Sequence, residues 1–505
     1  MKASVHSWSK EPLPISQPIL LAGVVLLGFL LRVYVFTNFQ VINSDGIRYI
    51  TQAKAILNGD WELARNCGYG FISLYHLLIP VVYKISGDWI FSAKTVSLIF
   101  GTAAILPFYL LMRQLFRSSV ALTGTLAFAV HPFFVSRSVE LIKDPIFWFF
   151  SLLGLFFFVT AVRNKEKSSW LLFSSISFLL GGLARVEILI YFAGTILYIL
   201  IFESSRFRKL LLFTLPIGFL LVVFGIADLF LFKKEYFGIT YLSPRLRHFS
   251  HVLSGSTLNG DISHKILSGF SELISKTITA VSVSFLPFFL AGLLVARGEV
   301  KREKLFWYFS ILVLLSLVTL FYFYLRTEIL SPRYVVLAVL PGSAFMCLGI
   351  EKIYKLIQKK GFREKTAFVL ICVYITASAL GSYGRYQRTD KLIYKEIGEY
   401  VASAEQNRKT IIVSAESRVM FYANLHAVEI ECGDHSSYYK VLPAMPYDEM
   451  TAFIRSQKAG YLLWEESLWK TAGYDLQSVA GTDALTHIEE WATDRGKLIL
   501  FKVTD

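Results

Sequence analysis

Long apolar runs, repeated along most of the chain, constrain this sequence more than any other feature. A helix needs about 20 apolar residues to cross the hydrocarbon core of a bilayer. The chain is 54% hydrophobic and 17% charged, against about 25% charged residues in ordinary soluble domains. The sequence therefore predicts a polytopic, mainly α-helical membrane protein. Roughly eleven spans are expected by the length rule, at residues 18–36, 89–112, 120–135, 145–162, 170–183, 188–202, 210–232, 281–296, 305–325, 335–349 and 366–382.

The gaps between these runs alternate in charge. Lysine and arginine concentrate in the cytoplasmic loops of membrane proteins, so every second gap is assigned to the cytoplasm, with the chain's start. The formal net charge of +14 follows largely from these loops, and no nucleic-acid partner is expected. The basic gaps contain Arg113 and Arg117; Arg163, Lys165 and Lys167; Arg206, Arg208 and Lys209; Arg297, Lys301, Arg302 and Lys304; and Lys352, Lys355, Lys359, Lys360, Arg363 and Lys365.

One short apolar segment, residues 71–85, decides the topology. If it crossed the membrane, all later basic gaps would face outward, against the positive-inside rule. We therefore interpret it as a juxtamembrane or re-entrant helix. The long outer loops are then residues 37–88 and 233–280, and the predicted location is the cytoplasmic (inner) membrane, in several passes.

The composition becomes that of a soluble protein near residue 383. Residues 1–382 are predicted to form the transmembrane domain, and residues 383–505 a smaller α/β domain outside the cytoplasm. Helical spacing at Ile393 and Ile397 and short apolar strands at 411–413, 461–464 and 498–503 support this division. Cys67 and Cys432 would both face the oxidising side, where a disulfide between them is an open alternative.

Isolated charged residues occupy the outer gaps, and each has a structural explanation of its own. Ser44 or Asp45 can cap a helix, and Asp144 can start one before Pro145. Glu140 can pair with Lys143 on a helix surface. Arg185 with Glu187 can form an ion pair, and Arg326 and Arg333 can extend to the interface.

Together, these charged residues suit one chemistry at one membrane face. A carboxylate can take a proton from an attacking hydroxyl. Arginines can stabilise a phosphate leaving group as its negative charge develops. The combination indicates glycosyl transfer from a lipid-phosphate sugar.

The chain resembles the GT-C superfamily of membrane glycosyltransferases, in the branch of the dolichyl-phosphate-mannose–protein mannosyltransferases and the aminoarabinose transferases. The similarity covers most of the membrane part. Its residues, in order along the chain, are Asp45, Tyr49 and Ala53 at four-residue spacing with Gly59; Gly68-Tyr69-Gly70; Arg113 to Arg117; His131-Pro132; Arg137 with Asp144-Pro145; Gly182-Leu183-Ala184-Arg185; and Ser331-Pro332-Arg333-Tyr334.

This resemblance implies a site and a reaction. Asp45 would be the catalytic base or orient the acceptor, and Asp144 would be a second carboxylate. The reaction would be an inverting displacement with polyprenyl phosphate as the leaving group. The donor phosphate would contact Arg333, Arg326 and Arg185, with supporting roles for Tyr49, Arg137, Glu140, Glu187 and Tyr334.

The acceptor and the cofactors are less determined. Gly46 after Asp45, and Tyr69-Gly70 before the short apolar segment, depart from many relatives and favour a glycan or lipid acceptor over a protein. No cofactor is predicted beyond the lipid-phosphate sugar as co-substrate, because no metal-ligand spacing is present; a divalent metal stays open.

The alternative function is a transporter or flippase of a lipid-linked glycan, for which Asp228 inside a span is the supporting residue. A membrane-anchored binding protein that acts through its outer tail is the third interpretation.

Overall fold

The structure is a computed structural model, and it describes residues 16–67, 71–164, 168–230, 262–381, 383, 389–427, 439, 441–470, 484–494 and 496–504. Its contacts divide the chain into two compact units. The first comprises Met1–Asn38 and Tyr69–Tyr386, and the second Phe39–Gly68 and Gln387–Asp505. Residues 39–68, expected as an outer loop of the membrane domain, belong instead to the unit of the C-terminal residues.

The first unit is helical throughout its described part. Each expected span overlaps one or two helices, which confirms the mainly α-helical fold. The helices are α1 (Ser16–Asn38), α4 (Leu74–Ser86), α5 (Trp89–Ala103), α6 (Ile105–Leu115), α7 (Ser118–Ala129), α8 (Pro132–Arg137), α9 (Asp144–Arg163), α10 (Trp170–Gly182), α11 (Leu189–Phe202), α12 (Arg206–Phe230), α13 (Ile262–Val281), α14 (Leu286–Arg302), α15 (Lys304–Thr327), α16 (Pro332–Lys359) and α17 (Glu364–Leu380).

Fewer helices than the expected number have the length and hydropathy of a complete span. Among the described residues five do, α5 and α6 together forming one of them, and a sixth is counted if α13 and α14 are one broken span. These two helices meet at a bend of 113°. The expected span 281–296 therefore begins only at Leu286, and α13 occupies the end of the expected outer loop 233–280.

The expected span 120–135 is two helices, and the carbonyl groups at the break accept long-range hydrogen bonds. A helix that ends inside a protein leaves carbonyl groups to be satisfied by other partners. The buried guanidinium of Arg32 donates to the carbonyl of Ala129 at 2.9 Å, and the hydroxyl of Tyr383 donates to that of Val130. These bonds satisfy the carbonyls at the end of α7, and Pro132, which has no N–H to continue a helix, opens α8.

The short apolar segment forms α4, as a helix too short to cross the bilayer straight. Its 13 residues extend about 20 Å. Tyr75, His76 and Ile79 are buried, and the imidazole of His76 accepts from the backbone N–H of Ser73 at 2.7 Å. The backbone N–H of Leu74 donates to the carbonyl of Leu183 at 3.1 Å, which attaches the start of α4 to the end of α10.

Helices α14 and α16 approach each other through paired glycines. A Cβ added at Gly292 would overlap the carbonyl oxygen of Phe345, and one added at Gly349 would overlap that of Phe288. Small residues allow such close backbone contact between membrane helices. This contact fixes α16, whose first turn contains Arg333.

We expect Gly349→Ala to destabilise the protein by about 1–3 kcal/mol, because the added methyl group has no space between the helices. Gly298→Ala is the matched control, since Gly298 also lies on α14 with nothing within 4 Å of an added Cβ. Thermal unfolding of the purified proteins in detergent measures the difference. Equal melting temperatures for the two variants would contradict this packing.

The second unit is built on a four-stranded mixed sheet, which confirms the predicted α/β class. The strands are β1 (Ile412–Val413), β2 (Tyr461–Glu465), β3 (Leu485–Thr493) and β4 (Gly496–Val503), in the order β1-β2-β4-β3. β1 and β2 are parallel, and β4 is antiparallel to both of its neighbours.

Helices cover both faces of this sheet. Because side chains alternate along a strand, Leu462 and Trp464 enter one core cluster, and Tyr461 and Leu463 enter the other. This explains why all of β2 is buried. The helices of the unit are α2 (Ser44–Leu57), α3 (Trp61–Asn66), α18 (Leu392–Ala404), α19 (Ser417–Ala423), α20 (Tyr447–Ser456) and α21 (Glu466–Trp469).

Candidate active site

Asp144 is the centre of a buried charged cluster in the first unit. It is the first residue of α9, next to Pro145, and its side chain is 0% exposed. Arg185 donates to its Oδ1 atom through Nη1, and Arg333 donates to its Oδ2 atom through Nη2 at 2.8 Å. One carboxylate thus joins residues that are distant in sequence.

Arg185 reaches this position because the chain leaves α10 just before it. Its backbone N–H donates to the carbonyl of Gly181 at 2.9 Å, and its own backbone is extended. Close packing of α9 on α10 supports the arrangement. A Cβ at Gly154 would overlap the ring of Phe178, and Ser174 donates to the Gly154 carbonyl at 2.9 Å.

The guanidinium of Arg185 is enclosed by two rings and two carboxylates. Its central carbon lies 5.3 Å from the ring centre of Tyr334 and 5.9 Å from that of Phe147. Its Nη2 atom lies 2.5 Å from the Oε1 atom of Glu187. Burial lowers the pKa of Arg185, but the charges of Glu187 and Asp144 outweigh burial and raise that pKa above its ordinary value.

Glu187 responds in the opposite direction. Burial alone would raise the pKa of Glu187. The charge of Arg185 and its hydrogen bond outweigh burial, so the pKa lies below its ordinary value. Glu187 is therefore ionised at neutral pH. The cluster then consists of two cations and two anions.

Arg333 is held by the start of α16. Ser331 is the N-cap, its side chain accepts from the backbone N–H of Arg333 at 3.4 Å, and Pro332 follows it in the first turn. The Arg333 side chain is 17% exposed, against 7% for Arg185. Arg333 is therefore the arginine of the cluster with more access to a ligand.

The remaining expected residues of this unit lie in smaller groups. Arg137 pairs with the buried Glu140, with 2.5 Å between Nη1 and Oε2. Arg326 donates to the hydroxyl of Tyr322 at 3.0 Å and lies over its ring. These contacts give Arg326 a partner one turn earlier on its own helix.

The loop that leads to Asp144 is fixed by a residue that the sequence analysis missed. Ser97 on α5 donates to the carbonyl of Ile142 at 3.0 Å, and both residues are buried. A serine inside an apolar run is a weak signal. Only the folded chain shows that this hydroxyl holds the backbone two residues before Asp144.

Asp45 and Tyr49 belong to the second unit. Asn43 is the N-cap of α2, so Asp45 lies in the first turn rather than at the cap, and it is half-buried. The partial positive charge of a helix N-terminus favours a carboxylate there. Tyr49 follows one turn later and is also half-buried.

The part of the chain that the structure describes contains no cluster of potential metal ligands. No group of three or more histidine, cysteine, aspartate or glutamate residues is placed there to hold an ion. The oxygens of Asp144 accept from two arginines instead.

The helices and the C-terminal sheet define a polytopic, mainly helical membrane protein with a smaller α/β unit. Residues 74–227 match the family model described as dolichyl-phosphate-mannose-protein mannosyltransferase. That segment contains Asp144, Arg185 and Glu187. No curated protein matches the sequence.

Solved structures of two membrane proteins share the fold. ArnT from Cupriavidus metallidurans, bound to undecaprenyl phosphate, is similar with a TM-score of 0.60 and 11% identity, over 97% of this chain and 98% of that one. The oligosaccharyltransferase AglB from Archaeoglobus fulgidus, in complex with an inhibitory peptide and a dolichol-phosphate, is similar with a TM-score of 0.54 and 13% identity, over 96% of this chain and 74% of that one. The chain therefore has the fold of the GT-C membrane glycosyltransferases, and the resemblance indicated by the sequence is confirmed.

We expect Asp144→Asn to destabilise the protein by about 3–5 kcal/mol, because it leaves the buried Arg185 and the partly buried Arg333 without their shared carboxylate. Glu364→Gln is the matched control: Glu364 is 52% exposed and pairs with Arg117 at 2.9 Å, and an exposed pair contributes about 0–1 kcal/mol. Thermal unfolding in detergent compares the two. A loss for Asp144→Asn no larger than the control's would contradict the central role of this carboxylate.

Proposed function

We propose that the protein is an inverting glycosyltransferase. It moves a sugar from a polyprenyl-phosphate donor to a hydroxyl acceptor at the outer membrane face. One observation carries the proposal: Arg185, just after α10, and Arg333, in the first turn of α16, converge on the buried carboxylate of Asp144, and Arg333 is partly accessible. Charged residues at a membrane edge are costly, and they are kept where a function requires them.

The accessible arginine suits the donor phosphate. A guanidinium presents planar N–H donors that match phosphate oxygens. Asp144 holds the Arg333 guanidinium through Nη2, so that its orientation is set before a ligand binds. Arg185, more deeply buried and paired with Glu187, keeps Asp144 in place. This assigns Arg333 to the phosphate and gives Arg185 and Asp144 the role of holding it.

The proposed reaction step takes Asp45 as the base, the role that the sequence resemblance implies. The carboxylate of Asp45 accepts the proton of the acceptor hydroxyl, whose oxygen attacks the anomeric carbon of the sugar. The bond between that carbon and the phosphate oxygen breaks, and polyprenyl phosphate leaves with the electron pair. Arginine stabilises the negative charge that develops on this phosphate. Attack from the side opposite the leaving group inverts the anomeric configuration.

Two features support the donor class and the side of the membrane. The ArnT and AglB structures contain undecaprenyl phosphate and dolichol-phosphate, which supports a polyprenyl-phosphate donor here. Cys67 is disulfide-bonded, whereas Cys347 and Cys372 are free thiols; Cys432 lies outside the described residues. Disulfides persist in oxidising compartments, which supports an extracytoplasmic location for the second unit.

We expect Arg333→Ala to lower kcat for transfer of labelled sugar from undecaprenyl- or dolichyl-phosphate donors by about a hundredfold or more, because the leaving phosphate loses its donor. Arg302→Ala is the control, since Arg302 is 79% exposed and lies in a basic gap. It should transfer sugar at the wild-type rate. Equal rates for both variants would contradict the assignment of Arg333.

We expect Asp45→Asn to lower kcat by about 10²–10⁴-fold, because an amide cannot accept the proton of the acceptor. The same transfer assay measures it, with the melting temperature as a check on folding. Full activity of a folded Asp45→Asn protein would remove Asp45 from the role of base. Movement of the intact lipid-linked sugar across proteoliposomes, without a covalent product, would support the transporter alternative instead.

A further inference from the structure

The backbone of Ile42, three residues before Asp45, is held from both sides by one helix of the second unit. Its N–H donates to the hydroxyl of Tyr422 at 3.1 Å. Its carbonyl accepts from the Nε atom of Arg418 at 2.7 Å. Tyr422 and Arg418 lie one turn apart on α19, and both are buried, with Tyr422 2% and Arg418 7% exposed.

Arg418 is itself fixed in place. Its Nη1 atom lies 2.5 Å from the carboxylate of Glu416, which is 3.5 Å from the ammonium of Lys391. A buried arginine is costly unless its charge is paired and its donors are used. The ion pair with Glu416 neutralises the charge of Arg418. Because the guanidinium is planar and rigid, its Nε atom then points at the Ile42 carbonyl. A lysine could not make both contacts with one rigid group.

The far end of α2 is attached to the same helix. The ammonium of Lys54 donates to the carbonyl of Leu425 at 2.6 Å and to that of Asn424 at 3.4 Å, just after α19 ends. Burial lowers the pKa of Lys54 to about 8. The side chain of Asn424 is bound in turn to both backbone groups of Thr410 at 2.8 Å, next to the sheet. The segment before α2 is therefore bound to α19, and the last turn of α2 is bound to the residues that follow α19.

We propose that Arg418 and Tyr422 are positioning residues for Asp45. This rests on the proposed function, in which Asp45 is the base. A base must be held within about 0.5 Å of its productive position, and a misplacement of about 1 Å can reduce a rate a hundredfold. Asp45 lies in the first turn of α2, where only a short segment separates it from α1. The contacts at Ile42 fix that segment, so the C-terminal residues have a part in catalysis apart from any choice of acceptor.

Tyr422→Phe tests this inference in the full-length protein, because it removes only the hydroxyl that accepts from Ile42. Tyr439→Phe is the matched control. Tyr439 is 1% exposed in the same unit, and its hydroxyl accepts from the backbone N–H of Glu465 at 3.0 Å and from the indole of Trp469 at 2.8 Å. Both variants lose a buried hydroxyl, but only one of them releases the Asp45 segment.

Amide hydrogen exchange is the readout that does not depend on activity. Loss of one hydrogen bond should raise exchange in residues 39–47 roughly fivefold in Tyr422→Phe, and leave it unchanged in Tyr439→Phe. In the transfer assay, kcat of Tyr422→Phe should fall about tenfold with KM unchanged, because the substrates still bind while the base is misplaced. Arg418→Gln should act in the same direction.

The outcomes separate this inference from the proposed function. Unchanged exchange in residues 39–47, or equal loss of kcat in Tyr422→Phe and Tyr439→Phe, overturns the positioning role while Asp45 remains the base. Sugar transfer absent from the wild-type protein, or full activity of Asp45→Asn, overturns the proposed function and the positioning role with it.

Discussion

The shared carboxylate of Asp144 is the interaction on which the first unit depends. Two guanidinium groups cannot be buried together at the edge of an apolar bundle without an anion between them, because each would lose its hydration and repel the other. Asp144 supplies that anion at the first residue of α9, where the helix N-terminus also favours negative charge. Through it, the starts of α9 and α16 and the end of α10 are held in a single arrangement.

The helices around this cluster are shaped so that the three charged residues can meet. Gly154 lets the ring of Phe178 lie against α9, and the glycine pair at Gly292 and Gly349 brings α14 and α16 into backbone contact. The hydrogen bond from Ser97 fixes the loop before Asp144. Apolar packing between the helices thus places Arg185 and Arg333 within hydrogen-bonding distance of Asp144. In the second unit, two side chains of α19 hold Ile42 ahead of the Asp45 turn in a comparable way.

The sequence was sufficient for the helices and for Asp144, Arg185, Glu187 and Arg333 as candidates, but not for the contacts between them. Apolar length located the helices of the first unit, because it is a local property of the chain. The partners of the carbonyls at the end of α7 were not predicted, since Arg32 and Tyr383 reach them from far along the chain. For the same reason, composition could not assign Arg333 to Asp144 and Arg326 to Tyr322. Strand β3 was also missed, because it is an edge strand with mostly exposed side chains and lacks a continuous apolar run.

A structure of the protein with a bound polyprenyl phosphate would test the central claim most directly. The account predicts phosphate oxygens within about 3 Å of the Arg333 guanidinium, the distance of a charge-assisted hydrogen bond, with Arg185 still paired to Asp144. A phosphate bound elsewhere, with Arg333 unchanged on Asp144, would contradict it and reduce the cluster to a structural ion pair.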